Sequence, residues 1–509
     1  MGVLTVEPKP LTLAQIADVA FGATKVQLSD TTRRIVAESR QVVDRIVQNH
    51  VVTYGINTGF GRLADVHIPD DELRQLQLNL VRSHAVGVGE PLSIPETRAM
   101  MLLRLNVLAQ GFSGARVEVL EFLVEMLNKR ITPVVPSQGS VGASGDLAPL
   151  AHLALAMIGE GECWSGSTRI PARKALEKQG LTPLALEPKE GLALLNGTQA
   201  IGGVGCLGLI RALRCVHAAD IIGAMTLEAL MGTPTAFDLR IHQARRHEGQ
   251  IASAKHLLGL MEGSEIRESH RVGDSRVQDA YCLRCMPQVH GAVRSALRHV
   301  RETLEQETGA ATDNPLVFRE NGDVISGGNF HGAPLAYALD YAAIVMTDLL
   351  SISERRMDRL VNPDANEGLP AFLSGHPGTG SGFMMPHVTV AALLNDCKVL
   401  SHPASVDSVP TSGGKEDHVS MGMTSALKFR RIVHNVERGL AIELLTAAEG
   451  LEYRRPLRAG AAIERAHETV RVALDIPRVQ QDRYLAPDFE AIAAAIGRGA
   501  FDSELETIL

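Results

Sequence analysis

Cysteine is scarce in this chain, with six residues among 509, and the spacing of these residues gives no disulfide framework. Cys282 and Cys285 form a C-x-x-C pattern, but no second pair follows at zinc-ribbon distance and no thioredoxin-like βαβ pattern surrounds them. Among the 18 histidines, His242 and His247 fall off the i, i+4 register of a helical metal site. We therefore predict reduced thiols, a cytoplasmic protein and no metal site.

Aromatic residues and charge of one sign are also limited. Aromatics make up 4% of the residues, which disfavours a base-stacking surface for nucleic acid. Lysine and arginine total 50 against 58 aspartates and glutamates, so the net charge is −8, without long like-charge blocks. These values argue against nucleic acid or an anionic membrane as the main partner.

Export and lipidation signals are missing from the N-terminal residues. No basic region precedes a long apolar core, and Val6 stands where a myristoylation signal needs serine or threonine. The most apolar stretch, 192–231, is interrupted by polar and charged side chains, namely Arg211, Arg214, His217 and Asp220. This stretch is typical of core helices in a bundle, and it does not indicate a membrane span.

Helical periodicity dominates the chain. After Pro334, apolar residues recur at spacings of three and four on one helix face, namely Leu335, Leu339, Ala342, Val345, Met346 and Leu349. Strand signals are short, as at 317–318 and 323–325. Because 509 residues exceed the usual size of a single core, we predict a mainly α protein with two or three packed regions.

The tripeptide Ala143-Ser144-Gly145 could supply a reactive group made from the backbone itself. Gly145 lacks a Cβ, so its amide nitrogen can bend back onto the Ala143 carbonyl and close a five-membered ring. Loss of water from the ring and from Ser144 would leave an exocyclic methylidene, an electrophile that no ordinary side chain provides. The alternative is a helix start, with Ser144 or Asp146 as the cap and Pro149 in the first turn. The two interpretations are compatible.

Three glycine-rich segments, 55–61, 327–332 and 374–382, are predicted to be loops between helices. None ends in Gly-Lys-Ser/Thr or follows a convincing strand, which argues against nucleotide binding. We interpret the first loop as a flexible lid or, alternatively, as an ordinary helix connection. A serine hydrolase is disfavoured, because Asp146 occupies the last glycine position of a G-x-S-x-G motif.

The tripeptide is accompanied by further motifs at 54–61, 195–199, 277–285, 327–331 and 416–421. Together these motifs resemble the methylidene-imidazolone (MIO) ammonia-lyases over nearly the full chain, and in particular the histidine-type members of that family. The resemblance implies a mainly α, fumarase/aspartase-like fold, with a long helical bundle and a smaller N-terminal region that bears the cofactor.

The resemblance also implies how the chain is organised. We expect residues 1–200 to carry the MIO-forming tripeptide and the lid loop. Residues 201–509 are expected to form the central helical bundle and the C-terminal helical region. Members of this family are homotetramers whose active sites draw residues from three subunits, so we expect the same assembly here.

The implied reaction is the elimination of ammonia from an α-amino acid, which gives the α,β-unsaturated acid. The MIO ring, formed from Ala143, Ser144 and Gly145 without an external cofactor, would act as the electrophile for the substrate amine. Tyr54 matches the lid tyrosine proposed to take the β-proton. A phenol ordinarily has a pKa of about 10, so a base of this kind needs a closed, water-excluding site. A ring packed under the loop is the alternative role for Tyr54.

Further residues are implied in substrate binding. Arg284 matches the position that binds the substrate carboxylate, for which its planar guanidinium suits two parallel hydrogen bonds; a surface ion pair is the alternative. Asn196, Gln278 and Tyr281 match positions that hydrogen-bond the ring oxygen or the substrate, and Phe330 is expected to pack alongside. Buried amides are also commonly structural groups with satisfied hydrogen bonds.

Two residues bear on the choice of substrate. His84, which follows Ser83, and Glu416, which we assign to the catalytic group, resemble the histidine-type pattern, and both can hydrogen-bond a polar substrate ring. The resemblance therefore implies conversion of L-histidine to urocanate and ammonia, the first step of histidine degradation. A tyrosine ammonia-lyase or an MIO-dependent aminomutase is the alternative, because His84 could also bind a tyrosine hydroxyl.

One segment departs from the family pattern. Residues 412–416 read Ser-Gly-Gly-Lys-Glu, where the family commonly has Ser-Ala-Asn-Gln-Glu. Two glycines loosen the backbone before Glu416, and Lys415 adds a neighbouring cation. We therefore expect an altered orientation of Glu416, with changed kinetics or specificity and no loss of the site.

Overall fold

The structure is a computed structural model that describes residues 2–59, 66–274 and 276–502. The chain divides into two compact units. Unit 1 consists of residues 1–207, 301–340 and 403–427, and unit 2 consists of residues 208–300, 341–402 and 428–509. The division at residue 200 expected from the sequence stays a prediction of domain organisation.

Helices make up most of the described chain, which confirms the mainly α prediction. The first helices are α1 (Leu13–Ala20), α2 (Asp30–Gln48), α3 (Leu73–His84), α4 (Ile94–Ala109), α5 (Val117–Asn128), α6 (Leu147–Met157), α7 (Ala172–Lys178), α8 (Glu190–Leu195) and α9 (Gln199–Ala229). They are followed by α10 (Leu239–Arg245), α11 (Glu248–Leu260), α12 (Glu265–Ser269), α13 (Tyr281–Arg284), α14 (Met286–Thr308), α15 (Ala333–Val361), α16 (Met384–Leu400), α17 (Gly422–Glu452), α18 (Ala461–Glu468) and α19 (Ala486–Arg498). The helix predicted after Pro334 is α15.

The described strands are short and lie in unit 1: β1 (Gly2–Val6), β2 (Thr24–Leu28), β3 (Val88–Pro91), β4 (Pro136–Gln138), β5 (Glu162–Ser165), β6 (Thr168–Pro171), β7 (Leu316–Phe318) and β8 (Asp323–Ile325). They form four two-stranded sheets. β1 and β2 are parallel, with Gly2 opposite Thr24 and Val6 opposite Leu28, and α1 forms the crossover. The other three pairs are antiparallel, and β7 with β8 confirms the predicted short strand signals.

Helix α4 lies in the core of unit 1. At its N-terminus, the Ser93 hydroxyl accepts from the Glu96 amide at 3.4 Å, and the Glu96 carboxylate accepts from the Ser93 amide at 2.8 Å, which forms a capping box. Nearly every residue of α4 is buried, so this helix has no solvent face. Helix α9 approaches it at Gly203, where a Cβ would lie 2.9 Å from the Met100 nitrogen.

Unit 2 encloses a buried ion pair between α15 and α17. The Arg356 guanidinium and the Glu443 carboxylate are both fully buried and are joined by Nε–Oε1 and Nη2–Oε2 bonds of 2.6 and 2.9 Å. Thr226 of α9 and Ser353 of α15 donate to the same carboxylate. A nitrogen of Arg356 also lies 3.2 Å from Nε2 of His290 on α14. One paired network therefore links four helices of this unit.

Two described helices, α9 and α15, are long and apolar enough to cross a membrane by length and composition alone. In the most apolar 18-residue segment of α9, 89% is buried inside the chain, and in the corresponding segment of α15, 61% is buried. Core helices of a helical bundle have the same properties, in agreement with our interpretation of residues 192–231.

Neutralising Glu443 should destabilise unit 2. Glu443→Gln leaves the buried Arg356 guanidinium without its counter-charge, so we expect the free energy of unfolding to fall by about 3–5 kcal/mol. Glu490→Gln is the matched control, because the Glu490–Arg438 pair is exposed and contributes about 0–1 kcal/mol. Urea unfolding followed by circular dichroism measures both variants. Equal stability of the two would contradict this role of the buried pair.

Candidate active site

A tight turn between β4 and α6 carries Ser144. Gly145 has a φ of +74°, and a Cβ at this position would lie 2.1 Å from the Gly197 carbonyl oxygen. Any residue with a side chain would therefore displace the backbone. The Asp146 amide donates to the same carbonyl oxygen at 2.7 Å. These contacts hold the turn against the segment that joins α8 to α9.

The Asp146 side chain also links this turn to α9. Asp146 occupies the N-cap position of α6, but its carboxylate makes no capping bond there. The carboxylate instead accepts from the Ser140 hydroxyl at 2.9 Å and from the Ile201 amide at 2.8 Å. Burial raises the pKa of Asp146 to about 6, and the hydrogen bonds oppose that shift. Pro149 lies in the first turn of α6, but the side-chain cap considered in the sequence analysis is not among the described hydrogen bonds.

Unit 1 contains a cavity of about 630 Å³ beside the turn. Its wall includes seven residues predicted for the site, namely Tyr54, His84, Ala143, Ser144, Asn196, Phe330 and Glu416. The other described lining residues are Leu80, Leu147, Leu192, Leu195, Asn314, Ser326, His331, Ser412, Lys415, Asp417 and His418. The wall therefore combines leucine side chains with hydrogen-bonding groups, as a site for an amphipathic small molecule requires.

Glu416 contacts Ser144 directly. The Ser144 hydroxyl donates to Oε1 at 2.8 Å, and the Thr411 hydroxyl donates to Oε2 at 2.8 Å. The two glycines that precede Glu416 lie in a tight turn at φ +64° and +82°, and this turn brings Thr411 opposite Glu416. Both carboxylate oxygens are therefore fixed. The looser backbone expected from Gly413 and Gly414 is a compact turn in the structure.

His84 ends α3 and has a defined hydrogen-bonding state. Its Nδ1 lies 2.8 Å from the Leu80 carbonyl oxygen and 3.0 Å from the Ser83 hydroxyl. A carbonyl oxygen can only accept, so Nδ1 carries the proton in that bond. In the neutral ring, Nε2 is then an acceptor.

The loop that carries Tyr54 is supported by the fully buried Asn57. The Asn57 side chain accepts from the Thr53 amide at 2.8 Å and donates to the Val51 carbonyl at 3.0 Å. Gly55, at φ +76°, leaves no room for a Cβ, which would lie 2.8 Å from Cδ of Pro315. The end of the motif, residues 60 and 61, lies outside the described residues, and the lid role stays a prediction.

Arg104 positions Asn196 from behind the cavity and was missed in the sequence analysis. This fully buried guanidinium donates to the Ala193 and Asn196 carbonyl oxygens at 2.9 and 2.8 Å and also contacts the Gln199 side chain. Burial lowers the pKa of Arg104 to about 10, despite the nearby Asp313 carboxylate. The available signal was an arginine inside the apolar run 99–105 of α4.

Three predicted residues lie elsewhere, in unit 2. Gln278, Tyr281 and Arg284 are not among the described residues that line the cavity. The Arg284 guanidinium lies 4.5 Å from the centre of the Tyr281 ring, and Tyr281 is 72% exposed. Their side chains are therefore outside the described wall of the cavity at Ser144.

Candidate metal ligands do not form a metal-binding group in the part of the chain that the structure describes. Within the described ranges, no group of three or more histidine, cysteine, aspartate or glutamate side chains is placed to hold a metal ion. All six cysteines are free thiols. Burial raises the pKa of Cys206 to about 12, which keeps that thiol protonated. The expected lack of a metal site stays a prediction for the whole chain.

The chain is similar to known proteins over most of its length. Residues 11–472 match the model of the aromatic amino acid lyase family. The chain is 51% identical over 510 residues to a histidine ammonia-lyase of Anaeromyxobacter sp. (strain K), a match that covers 99% of this chain and 100% of that relative.

Solved structures agree with this match. Histidine ammonia-lyase from Trypanosoma cruzi is similar at a TM-score of 0.92 and 40% identity, covering 100% of this chain and 96% of that one. Tyrosine aminomutase from Streptomyces globisporus is similar at a TM-score of 0.93 and 37% identity, covering 100% and 99%. The helical fumarase-like fold is therefore confirmed, and this chain belongs to the aromatic amino acid lyase family.

Proposed function

We propose that this carbon–nitrogen lyase eliminates ammonia from L-histidine to give urocanate, the first step of histidine degradation. The observation that carries the proposal is the Glu416 carboxylate, which lies 2.8 Å from the Ser144 hydroxyl and shares a cavity with His84. A carboxylate accepts from an imidazole N–H, whereas a phenyl ring has no donor to offer it. The histidine ammonia-lyases among the similar proteins support the same substrate.

The tripeptide at the turn is proposed to form MIO, with no external cofactor. The residues present fit this group: Gly145 has a positive φ with no room for a Cβ, and Asn196, on the same cavity wall as Ser144, has a side-chain N–H that can donate to a ring oxygen. When formed, MIO supplies an electrophile for the substrate amine, which is otherwise a poor leaving group. Its formation removes the Ser144 hydroxyl as water, so Oε1 of Glu416 becomes available to the substrate.

In this proposal the cavity residues have separate roles. Tyr54 takes the β-proton of the substrate, and Glu416 and His84 bind its imidazole. Asn196 hydrogen-bonds the MIO oxygen from a position that Arg104 fixes. Phe330 packs against the substrate beside the leucines of the cavity wall.

The active enzyme is proposed to be a cytoplasmic homotetramer in which other subunits complete each site. Gln278, Tyr281 and Arg284 lie outside the described cavity wall. The substrate carboxylate, however, needs a cationic partner that can make two hydrogen bonds, such as the Arg284 guanidinium. Tyr337 and Tyr341 on α15 are 57% and 45% exposed, and a subunit interface would bury such apolar side chains. The free thiols support a cytoplasmic location.

A second candidate function is that of a tyrosine ammonia-lyase or an MIO-dependent aminomutase. The structural similarity to tyrosine aminomutase, at a TM-score of 0.93, favours it. Both candidates use the same turn at Ser144, so the substrate and the product separate them. An aminomutase returns a β-amino acid from L-tyrosine, whereas a lyase releases ammonia.

Mixing the purified enzyme with L-histidine should produce urocanate, detected by its ultraviolet absorbance. L-tyrosine and L-phenylalanine are tested in parallel, and Ser144→Ala should be nearly inactive on all three. Mass spectrometry of the peptide that contains residues 143–145 should show the loss of two water molecules, one from ring closure and one from Ser144. Turnover of L-tyrosine without urocanate formation would replace the histidine assignment, and an unmodified peptide in active enzyme would remove MIO.

Glu416→Gln should selectively impair the use of L-histidine. We expect kcat/KM for L-histidine to fall by about 10²-fold, because the amide loses the charge that strengthens the hydrogen bond to imidazole. Asp417→Asn is the matched control, since it removes the same charge from the same cavity wall without touching the contact to Ser144. Equal losses in the two variants would attribute the effect to overall cavity charge and not to Glu416.

Complementation between inactive subunits tests the shared site. Ser144→Ala and Arg284→Ala chains should each be nearly inactive alone. When co-expressed, they should recover about a quarter of the wild-type rate, because random assembly completes that share of the sites. The control pair is Ser144→Ala with Glu416→Ala, whose positions lie in one cavity of one chain, so no recovery is expected. The same result for both pairs would contradict sites shared between subunits.

A further inference from the structure

Unit 2 contains a second cavity, of about 710 Å³, that the reaction does not use. Side chains from α9, α11, α14 and α18 line it, together with residues 500–501. Its cationic side chains are Lys255, Arg294 and Arg465, and the imidazoles of His217 and His256 lie beside them. None of its described lining residues is an aspartate or a glutamate. We call it the basic cavity.

The positive charge of the basic cavity is only partly neutralised by the chain. Arg294 donates to the buried Asp220 carboxylate, which also accepts from His256 and His290 and is therefore fully engaged. In the described part of the chain, Lys255 and Arg465 form no salt bridge. Two exposed cations, Lys255 and Arg465, therefore line a cavity that has no carboxylate among its described lining residues.

His217 lies in a buried part of the wall of the basic cavity. Its side chain is 5% exposed and stacks on the His256 ring at a centroid distance of 4.7 Å. Burial, together with the neighbouring His256 and Arg294, lowers the pKa of His217 to about 4. Its Nε2 is buried without a hydrogen-bond partner among the described residues. A buried polar atom of this kind on a cavity wall is typical of a site completed by a ligand.

The remaining wall of the basic cavity is apolar. It includes Ile221, Leu260, Ala466 and Phe501. The volume of about 710 Å³ suits a small organic molecule and far exceeds the space needed by a single inorganic ion. A suitable ligand therefore combines anionic oxygens with an apolar body.

We propose that the basic cavity binds a small organic anion, in which a phosphate or carboxylate group is attached to an apolar or aromatic body. Lys255 and Arg465 pair with the anionic oxygens, and the side chains around Phe501 enclose the apolar part. The site is built by unit 2 alone and does not depend on the reaction proposed for the cavity at Ser144.

Isothermal titration calorimetry of the full-length enzyme with phenyl phosphate, benzoate and inorganic phosphate tests this site. We expect phenyl phosphate or benzoate to bind at one site per chain, at least about tenfold more tightly than inorganic phosphate, because only they fill the apolar wall. Lys255→Gln/Arg465→Gln should weaken this binding by about tenfold or more. A preference for either organic anion supports the proposal and identifies the anionic group.

The matched control is Lys174→Gln/Lys178→Gln on α7 in unit 1. Both lysines are exposed, and the net charge changes by the same amount as in the cavity variant. This control should bind like the wild type. Equal weakening in both double variants, unchanged binding in the cavity variant, or no advantage of the organic anions would overturn the proposal. A changed oligomeric state of the cavity variant in size-exclusion chromatography would also overturn it, by making the basic cavity a subunit contact.

Discussion

The close approach of two backbone segments is the constraint on which the candidate active site depends. At Gly145, the space that a Cβ would occupy is filled by the Gly197 carbonyl, and the next amide, of Asp146, donates to that carbonyl at 2.7 Å. Ser144 and Asn196 are therefore neighbours because Gly145 lets the two backbone segments touch. A side chain at Gly145 would push these segments apart, and one at Gly197 would collide with the Arg104 side chain that supports Asn196.

Buried charge gives this arrangement its rigidity. The Arg104 guanidinium donates to carbonyl oxygens at the junction of α8 and α9. The Asp146 carboxylate accepts from the Ile201 amide of α9. A buried charge is costly unless its hydrogen bonds are satisfied, so such groups tolerate few alternative arrangements. In unit 2, the Arg356–Glu443 pair has the same effect on the long helices. Each unit therefore fixes its helices through paired or hydrogen-bonded charge inside an apolar core.

Reaction class and substrate choice rest on different parts of the molecule. The turn at Ser144 follows from backbone geometry, and similar structures with this fold include both a histidine ammonia-lyase and a tyrosine aminomutase. In the proposed function, substrate choice depends on a few side chains, above all Glu416 and His84. The Gly413–Gly414 turn is a departure in sequence that still brings Thr411 to the Glu416 carboxylate, so the contact to Ser144 is retained.

Apolar residues at spacings of three and four already predicted the helical class, and the tripeptide proposed to form MIO could be found from the sequence because ring closure needs only adjacent residues. The resemblance to a family also indicated seven residues of the cavity wall. Three findings could be seen only once the chain was folded. Glu416 contacts Ser144 across 272 positions, and Arg104 supports Asn196. Arg284 lies in unit 2, whereas Ser144 lies in unit 1. Local periodicity encodes which face of a helix is buried, whereas contacts between distant residues depend on how the helices pack.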